Sequence, residues 1–164
     1  IAANLPYNIA TPLLVKWLKD LHNDPTNYDA LILMFQKEVA ERIVATPNDK
    51  TYGRLAILAQ WITTPRMVMT LPPQAFTPAP KVHSSVVLFK PKQLRDKPKF
   101  ETVEKLTAQA FGQRRKMIRQ SLKPYVSLFE ELGIDPTLRA EDLTIEQFIE
   151  LARRIDHIHP HPQL

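Results

Sequence analysis

The stretch Ile1-Ala-Ala-Asn-Leu-Pro-Tyr-Asn-Ile-Ala-Thr-Pro-Leu-Leu-Val-Lys-Trp-Leu-Lys-Asp-Leu21 decides how the rest of the chain is read. A short apolar lead-in ends at Asn4-Leu5-Pro6-Tyr7, and an amphipathic segment follows. In that segment Leu13, Leu14, Trp17, Leu18 and Leu21 recur at helical spacing, with Thr11 in the capping position and Pro12 as the first helical residue. A strand, a short loop and a helix in this order make the repeating unit of an open α/β sheet, whose ligand sites lie at the carboxyl ends of the strands. Pro6 biases Leu5 toward extended backbone, so the Leu5 carbonyl can project outward rather than join a helical ladder. A side-chain amide, a free carbonyl and an aromatic ring thus fall within four residues.

Working outward, the run from Ala30 to Phe35 is short, continuous and apolar, which predicts a strand covered on both faces. Lys37 to Ala45 reads as a helix, Pro47 to Lys50 as a turn, and Arg54 to Ile62 as a helix with Leu55, Leu58 and Ala59 on one side. Arg66 to Leu71 and Ser84 to Lys90 are rich in β-formers and read as strands. Between them residues 71–82, L-P-P-Q-A-F-T-P-A-P-K-V, hold four prolines and predict a stiff, pre-shaped loop. The basic, proline-containing stretch 90–99 is the best domain boundary, dividing an α/β part, residues 1–92, from an all-helical part, residues 93–164. In the helical part Thr102 to Lys123 reads as one long helix. Tyr125 to Leu132 reads as a shorter one stopped by Gly133, and a last helix opens at Thr144 with a T-I-E-Q capping box.

Composition removes several classes of function. Among 164 residues there are 15 prolines, 3 glycines and no cysteine. Gly53, Gly112 and Gly133 stand singly, so no glycine-rich phosphate or dinucleotide loop is encoded. Without cysteine there is no disulfide framework, no thiolate catalysis and no cysteine-based zinc site. The longest apolar run, Ala30 to Phe35, is far short of the ~20 residues that span a bilayer. The opening residues lack the basic region of a secretory signal, and a cytoplasmic protein is expected. A chain that opens Ile-Ala-Ala-Asn reads as part of a longer protein. The net charge of +5 is unevenly spread: residues 1–96 carry +4, residues 97–123 carry +6 and residues 124–164 carry −5. Such a concentrated basic block suits a polyanion.

The Asn4-Leu5-Pro6-Tyr7 tetrapeptide admits two readings. Asn and Pro favour turns, and Tyr often plugs the edge of a core. The other reading is chemical. The exocyclic amine of an adenine is a poor nucleophile because its lone pair is delocalised into the ring. Two acceptors, the Asn4 side-chain oxygen and the Leu5 carbonyl, could hold both N–H groups and favour a pyramidal nitrogen with its lone pair aimed at an incoming methyl. That is positioning and electrostatics, with no general base needed before attack. Tyr7 would stack on the base.

These residues resemble the catalytic motif of the rRNA adenine N6-dimethyltransferases of the KsgA type. N-L-P-Y is followed, in that family's order, by F-Q-K-E-V-A-E-R (Phe35 to Arg42), Y-G-R-L (Tyr52 to Leu55) and P-P-Q-A-F-T-P-A-P-K-V (Pro72 to Val82). A-F-G-Q-R-R-K-M-I-R-Q-S-L (Ala110 to Leu122) and G-I-D-P-T-L-R-A-E (Gly133 to Glu141) complete the set. The resemblance implies a partial Rossmann-like methyltransferase domain followed by a small helical RNA-binding domain. It implies that Asn4 and Leu5 accept from the adenine amine, with Pro6 shaping the turn, and that Asn4 also borders the methyl donor. It places Tyr7 on one face of a flipped adenine and Phe76 on the other, the prolines holding that ring in place. DNA adenine methyltransferases usually carry Pro where Leu5 stands. The implied reaction is S-adenosylmethionine-dependent dimethylation of adenine N6 in small-subunit rRNA, with the 30S subunit as partner and no metal. Two alternatives remain: a non-catalytic RNA-binding or ribosome-assembly module, and a large-subunit rRNA adenine methyltransferase of the Erm type. The latter usually lacks the extended G-I-D-P-x-x-R-A-E pattern.

The family's glycine-rich first motif and acidic ribose-binding residue precede N-L-P-Y, whereas this chain begins three residues before it. The expectation is a C-terminal portion lacking the S-adenosylmethionine-binding half, inactive and unable to bind that cofactor well by itself. Gly112 stands where the family commonly has Asn and, within one long helix, would cost stability. On a helical wheel Val103, Leu106, Ala110 and Met117 form one apolar arc and Phe111, Ile118 and Leu122 another. Arg115, Lys116, Arg119 and Lys123 form a cationic stripe beside them and, with Lys81, are the expected RNA contacts. Arg114 falls inside the apolar arc, which calls for a carboxylate partner or a place at a domain interface. His157, His159 and His161 suit a loose tail better than a metal site, and Glu38 and Glu41 a charged helix face.

Overall fold

The computed structural model describes residues 1–159. In chain order the elements are β1 (Ala2–Asn4), α1 (Tyr7–Asn23), β2 (Leu31–Gln36), α2 (Lys37–Val44), α3 (Arg54–Ile62), β3 (Thr63–Leu71), β4 (Ser84–Pro91), α4 (Phe100–Gly112), α5 (Ile118–Ser121), α6 (Val126–Leu132) and α7 (Ile145–Ile158). Two compact units result, one of residues 1–45 with 58–93, the other of residues 46–57 with the described residues from 94 onward. Residues 46–57, which the sequence reading put in the α/β part, group with the helices. Tyr52 explains why: it is fully buried, and its hydroxyl donates to the Leu143 carbonyl at 2.7 Å.

The first unit is built on a four-stranded mixed sheet in the order β1-β2-β4-β3. β1 runs parallel to β2, while β4 is antiparallel to both β2 and β3. Alternation along the strands sets its core: Leu31, Leu33 and Phe35 of β2 lie opposite Phe89, Val87 and Ser85 of β4, and all are buried. Leu14, Leu18 and Leu21 of α1 and Ala40 and Ile43 of α2 are buried as well, as the helical period requires. The β2 strand is not covered on both faces, because Ile32 keeps 44% of its surface exposed. β3 starts three residues before the expected Arg66, and its register shifts between Met67 and Met69. That bulge leaves Val68 and Met69 exposed side by side.

Two helix boundaries differ from the sequence reading. Helix α1 begins at Tyr7, not at Pro12, with Pro6 rather than Thr11 as its cap and Pro12 inside it. Pro6 takes φ −53° and ψ 137°, an extended cap, and its carbonyl accepts from the Ile9 amide at 3.1 Å, so the helix nucleates a full turn earlier. Pro12 then forfeits only its own N–H bond near the helix start.

The long helix expected from Thr102 to Lys123 is instead broken. α4 ends at Gly112, residues 113–117 turn, and α5 is a single turn before a 3-10 turn at Lys123–Tyr125. Non-local bonds set the break: Met117 bridges Arg139, and the Ile118 amide donates to the Leu138 carbonyl at 2.7 Å. Gly112 therefore ends a helix rather than weakening the middle of one, and a Cβ there would meet nothing within 4 Å. Other helical signals hold. Gly133 takes φ 65° in the left-handed region and stops α6, and Thr144 caps α7 through a reciprocal pair of bonds with Gln147. α7 runs on to Ile158, so His157 is helical and only His159 leaves the helix; His161 lies outside the described residues.

Candidate active site

The site grows from the end of β1. Parallel pairing sets Asn4 opposite Met34 of β2, on the same face of the sheet. Leu5 and Pro6 follow as extended chain, and because the Pro6 carbonyl accepts the first helical bond, Leu5 stays outside the ladder of α1. Tyr7 is the first residue of that helix. From the far end of the sheet the loop between β3 and β4 returns with a 3-10 turn at Pro73–Ala75, followed by Phe76 in extended backbone. Asn4, Leu5, Pro6 and Tyr7 come together with Met34, Phe76, Pro78 and Pro80 around a cavity of about 310 Å³.

All five residues read from the sequence as the adenine site, Asn4, Leu5, Pro6, Tyr7 and Phe76, therefore line one cavity. The lining thus includes one amide residue and two aromatic residues among apolar ones, a composition in which a few placed polar groups fix the orientation of a flat ligand. Two further features carry no signal in the sequence. Met34 read only as a strand residue, and its place in the wall follows from register. The Tyr7 hydroxyl is hydrogen-bonded to the Ser84 hydroxyl, a link across 77 residues of sequence. Lys81 is exposed, directly after Pro80, in the stretch that leads into β4; there the His83 carbonyl accepts from the Lys37 amide at 2.9 Å.

In the helical unit the arginine-rich segment divides by role. Arg114 is tied down: its guanidinium donates to the carbonyls of Tyr52 at 2.8 Å and Lys50 at 3.0 Å and meets the Glu141 carboxylate at 3.1 Å. It also lies 5.7 Å from the centre of the Phe111 ring, itself packed between Tyr52 and Phe148. The carboxylate expected for Arg114 is thus Glu141. The continuous cationic stripe does not form, since Arg115 and Lys116 sit in the turn, Arg119 on α5 and Lys123 in the 3-10 turn. All four remain exposed. Met117, placed in the apolar arc by the wheel, is 36% exposed, whereas Ile118 and Leu122 are fully buried.

Glu38 is exposed and pairs with Arg42 one turn on, at 3.0 Å, as a charged helix face does. Among the described residues no group of three or more His, Cys, Asp or Glu side chains could hold a metal ion. None of the described helices is long and apolar enough to cross a membrane.

Comparison with known proteins places the chain among a family of sequences. Residues 1–157 match the family model for ribosomal RNA adenine dimethylase. A protein of Cereibacter sphaeroides named ribosomal RNA small subunit methyltransferase A is 52% identical over 160 residues, covering 94% of this chain and 57% of its own length. Its namesake in Dinoroseobacter shibae is 53% identical over 163 residues, again 94% of this chain and 57% of the relative. The chain thus spans little more than half the length of these curated relatives. Among solved structures, a dimethyladenosine transferase from Plasmodium falciparum superposes with a TM-score of 0.80 at 25% identity, over 95% of this chain and 66% of that one. The 23S rRNA methyltransferase ErmE shares the fold, with a TM-score of 0.62 at 18% identity over 94% of this chain and 64% of that one. With the family's motifs in order along the chain and its model matched from Ile1 to His157, this chain belongs to the ribosomal RNA adenine dimethylase family.

Proposed function

We propose that this chain is the adenine-holding and RNA-binding part of an enzyme that transfers two methyl groups to adenine N6 in small-subunit rRNA. The observation that carries the reading is the cavity in which Asn4, Leu5, Tyr7 and Phe76 meet. A flipped adenine is flat and stacks on aromatic rings with both its faces, and Tyr7 and Phe76 offer two such rings. The Asn4 side-chain oxygen and the Leu5 carbonyl accept from the amine. Holding both N–H groups draws the nitrogen toward a pyramidal shape and frees its lone pair along one direction. After one transfer a single N–H remains, and one acceptor still orients it.

The methyl donor this reading implies is S-adenosylmethionine, which supplies an electrophilic methyl when bound. It would meet this chain at Asn4, which lines the cavity, and no glycine-rich loop in the sequence offers it a second hold. Arg115, Lys116, Arg119 and Lys123, with Lys81, present exposed cations to phosphates, a term that binds RNA without reading its sequence. The 30S subunit is the proposed partner and the cytoplasm the proposed location.

The test is methyl transfer by the full-length protein to unmethylated 30S and 50S subunits, with an Asn4→Ala variant alongside. Loss of one preorganised polar contact to the reacting group should lower kcat about 10²- to 10³-fold on 30S. Undiminished activity of Asn4→Ala would reject the catalytic assignment. Transfer to 50S alone would move the protein to the large-subunit class, and no transfer by the unsubstituted protein would leave an assembly role.

A further inference from the structure

We infer that Ser84 is a positioning residue of the adenine site, one that sets the gap between the two aromatic walls; the inference rests on the functional reading above. Ser84 is fully buried at the first position of β4. It is paired on both sides, with Gln36 of β2 and with Leu71, the last residue of β3. The Leu71–Ser84 pair therefore closes the base of the loop 72–83, which carries Phe76, Pro78 and Pro80 to the cavity. The same Ser84 is hydrogen-bonded through its hydroxyl to the Tyr7 hydroxyl. Tyr7 comes from the start of α1, an element with no covalent tie to that loop for some fifty residues of chain.

One side chain thus gives both rings a common reference. The Tyr7 ring is held at two ends, by its backbone in α1 and by its hydroxyl at the sheet, so it cannot swing into the space a base would occupy. Phe76 is held by a proline-rich loop whose base is Ser84. Without the hydroxyl link the Tyr7 ring regains rotamers that narrow or tilt the slot, and the amine of a base stacked there moves relative to Asn4 and Leu5. A displacement of the order of 1 Å at a reacting atom costs as much as ~10²-fold in rate, and partial freedom of one ring should cost about tenfold.

The experiment measures steady-state methylation of unmethylated 30S subunits by the full-length protein and its Ser84→Ala, Tyr7→Phe and doubly substituted variants, with Asn4→Ala as reference. Tyr7→Phe keeps the stacking ring and makes no cavity, so it tests the link even if Ser84→Ala folds poorly. The expected result is a fall of about tenfold in kcat for each single variant. KM for the 30S subunit should stay unchanged, and the double variant should be no worse than either single. Full activity of Tyr7→Phe while Asn4→Ala is inactive would overturn the role of Ser84 and leave the site standing. Full activity of Asn4→Ala would remove the site itself. Additive losses in the double variant, or a KM effect with constant kcat, would also refute the shared tether.

Discussion

Replacing Arg114 by alanine tests whether the arginine-rich segment is divided between scaffold and RNA contact. Its guanidinium makes two well-formed bonds to carbonyls, at 2.8 and 3.0 Å, a carboxylate contact at 3.1 Å and a cation–π contact at 5.7 Å. Charge-assisted bonds are worth about 1.5–3 kcal/mol each when shielded. Arg114 keeps 36% of its side chain in solvent and Glu141 28%, so about 1 kcal/mol per carbonyl bond and roughly 0.5 kcal/mol for the ion pair are the fitting values. The ring contact adds about 0.5 kcal/mol. The expected loss is about 3 kcal/mol, which for a chain of this size lowers the melting temperature by roughly 6–12 °C.

Arg114→Lys keeps the charge but not the planar fork that reaches several acceptors, and should lose more than half of that. Arg115→Ala, one residue on and exposed, should stay within about 0.5 kcal/mol. Thermal and urea unfolding followed by circular dichroism give all three values. Equal melting temperatures for Arg114→Ala and Arg115→Ala would refute the division.

Substituting Arg115, Lys116 and Arg119 together by alanine should weaken binding to many RNA sequences alike. The slope of log K against log salt should flatten by about 2–3, and unchanged affinity in a filter-binding titration would exclude the contacts. The Tyr52 hydroxyl is pushed well above its usual range, first by burial and then by the Glu146 charge. The folded state therefore holds that proton after the unfolded state has lost it, and stability should fall as pH rises beyond about 10. Tyr52→Phe should flatten that fall while costing about 1–3 kcal/mol at neutral pH, since the buried Leu143 carbonyl loses its donor. Gly133→Ala, at φ 65°, should cost about 1–2 kcal/mol, whereas Gly112→Ala, with open space around it, should be neutral or mildly stabilising; unfolding midpoints of the pair decide the matter.

What the sequence made legible was local. The strand, the N-L-P-Y turn, the proline loop, the Gly133 stop and the Thr144 cap all rest on residues a few positions apart, and each was readable. The break after Gly112 was not, because Arg114 to Lys123 has the composition of a helix and is bent by partners at residues 136–139. The early start of α1 was hidden by Pro12, whose usual place at a helix beginning pointed five residues too far along. Residues 46–57 and Ser84 share one reason for being missed. Their decisive bonds, to Leu143 and Arg114 in one case and to Tyr7 in the other, join positions 62 to 91 residues apart or more than 70, beyond any periodic signal.

The bulge in β3 bears on a hazard unrelated to chemistry. Among the described residues β3 pairs on one side only, with β4, so its other side has backbone groups able to recruit a strand from another molecule. Pro65 removes one donor from that row, Arg66 sets an exposed charge beside it, and the shift between Met67 and Met69 twists the remainder out of register. Straightening the edge, by deleting Val68 and replacing Pro65 with a β-branched residue, would turn a self-limited sheet into a template for stacking one copy on the next.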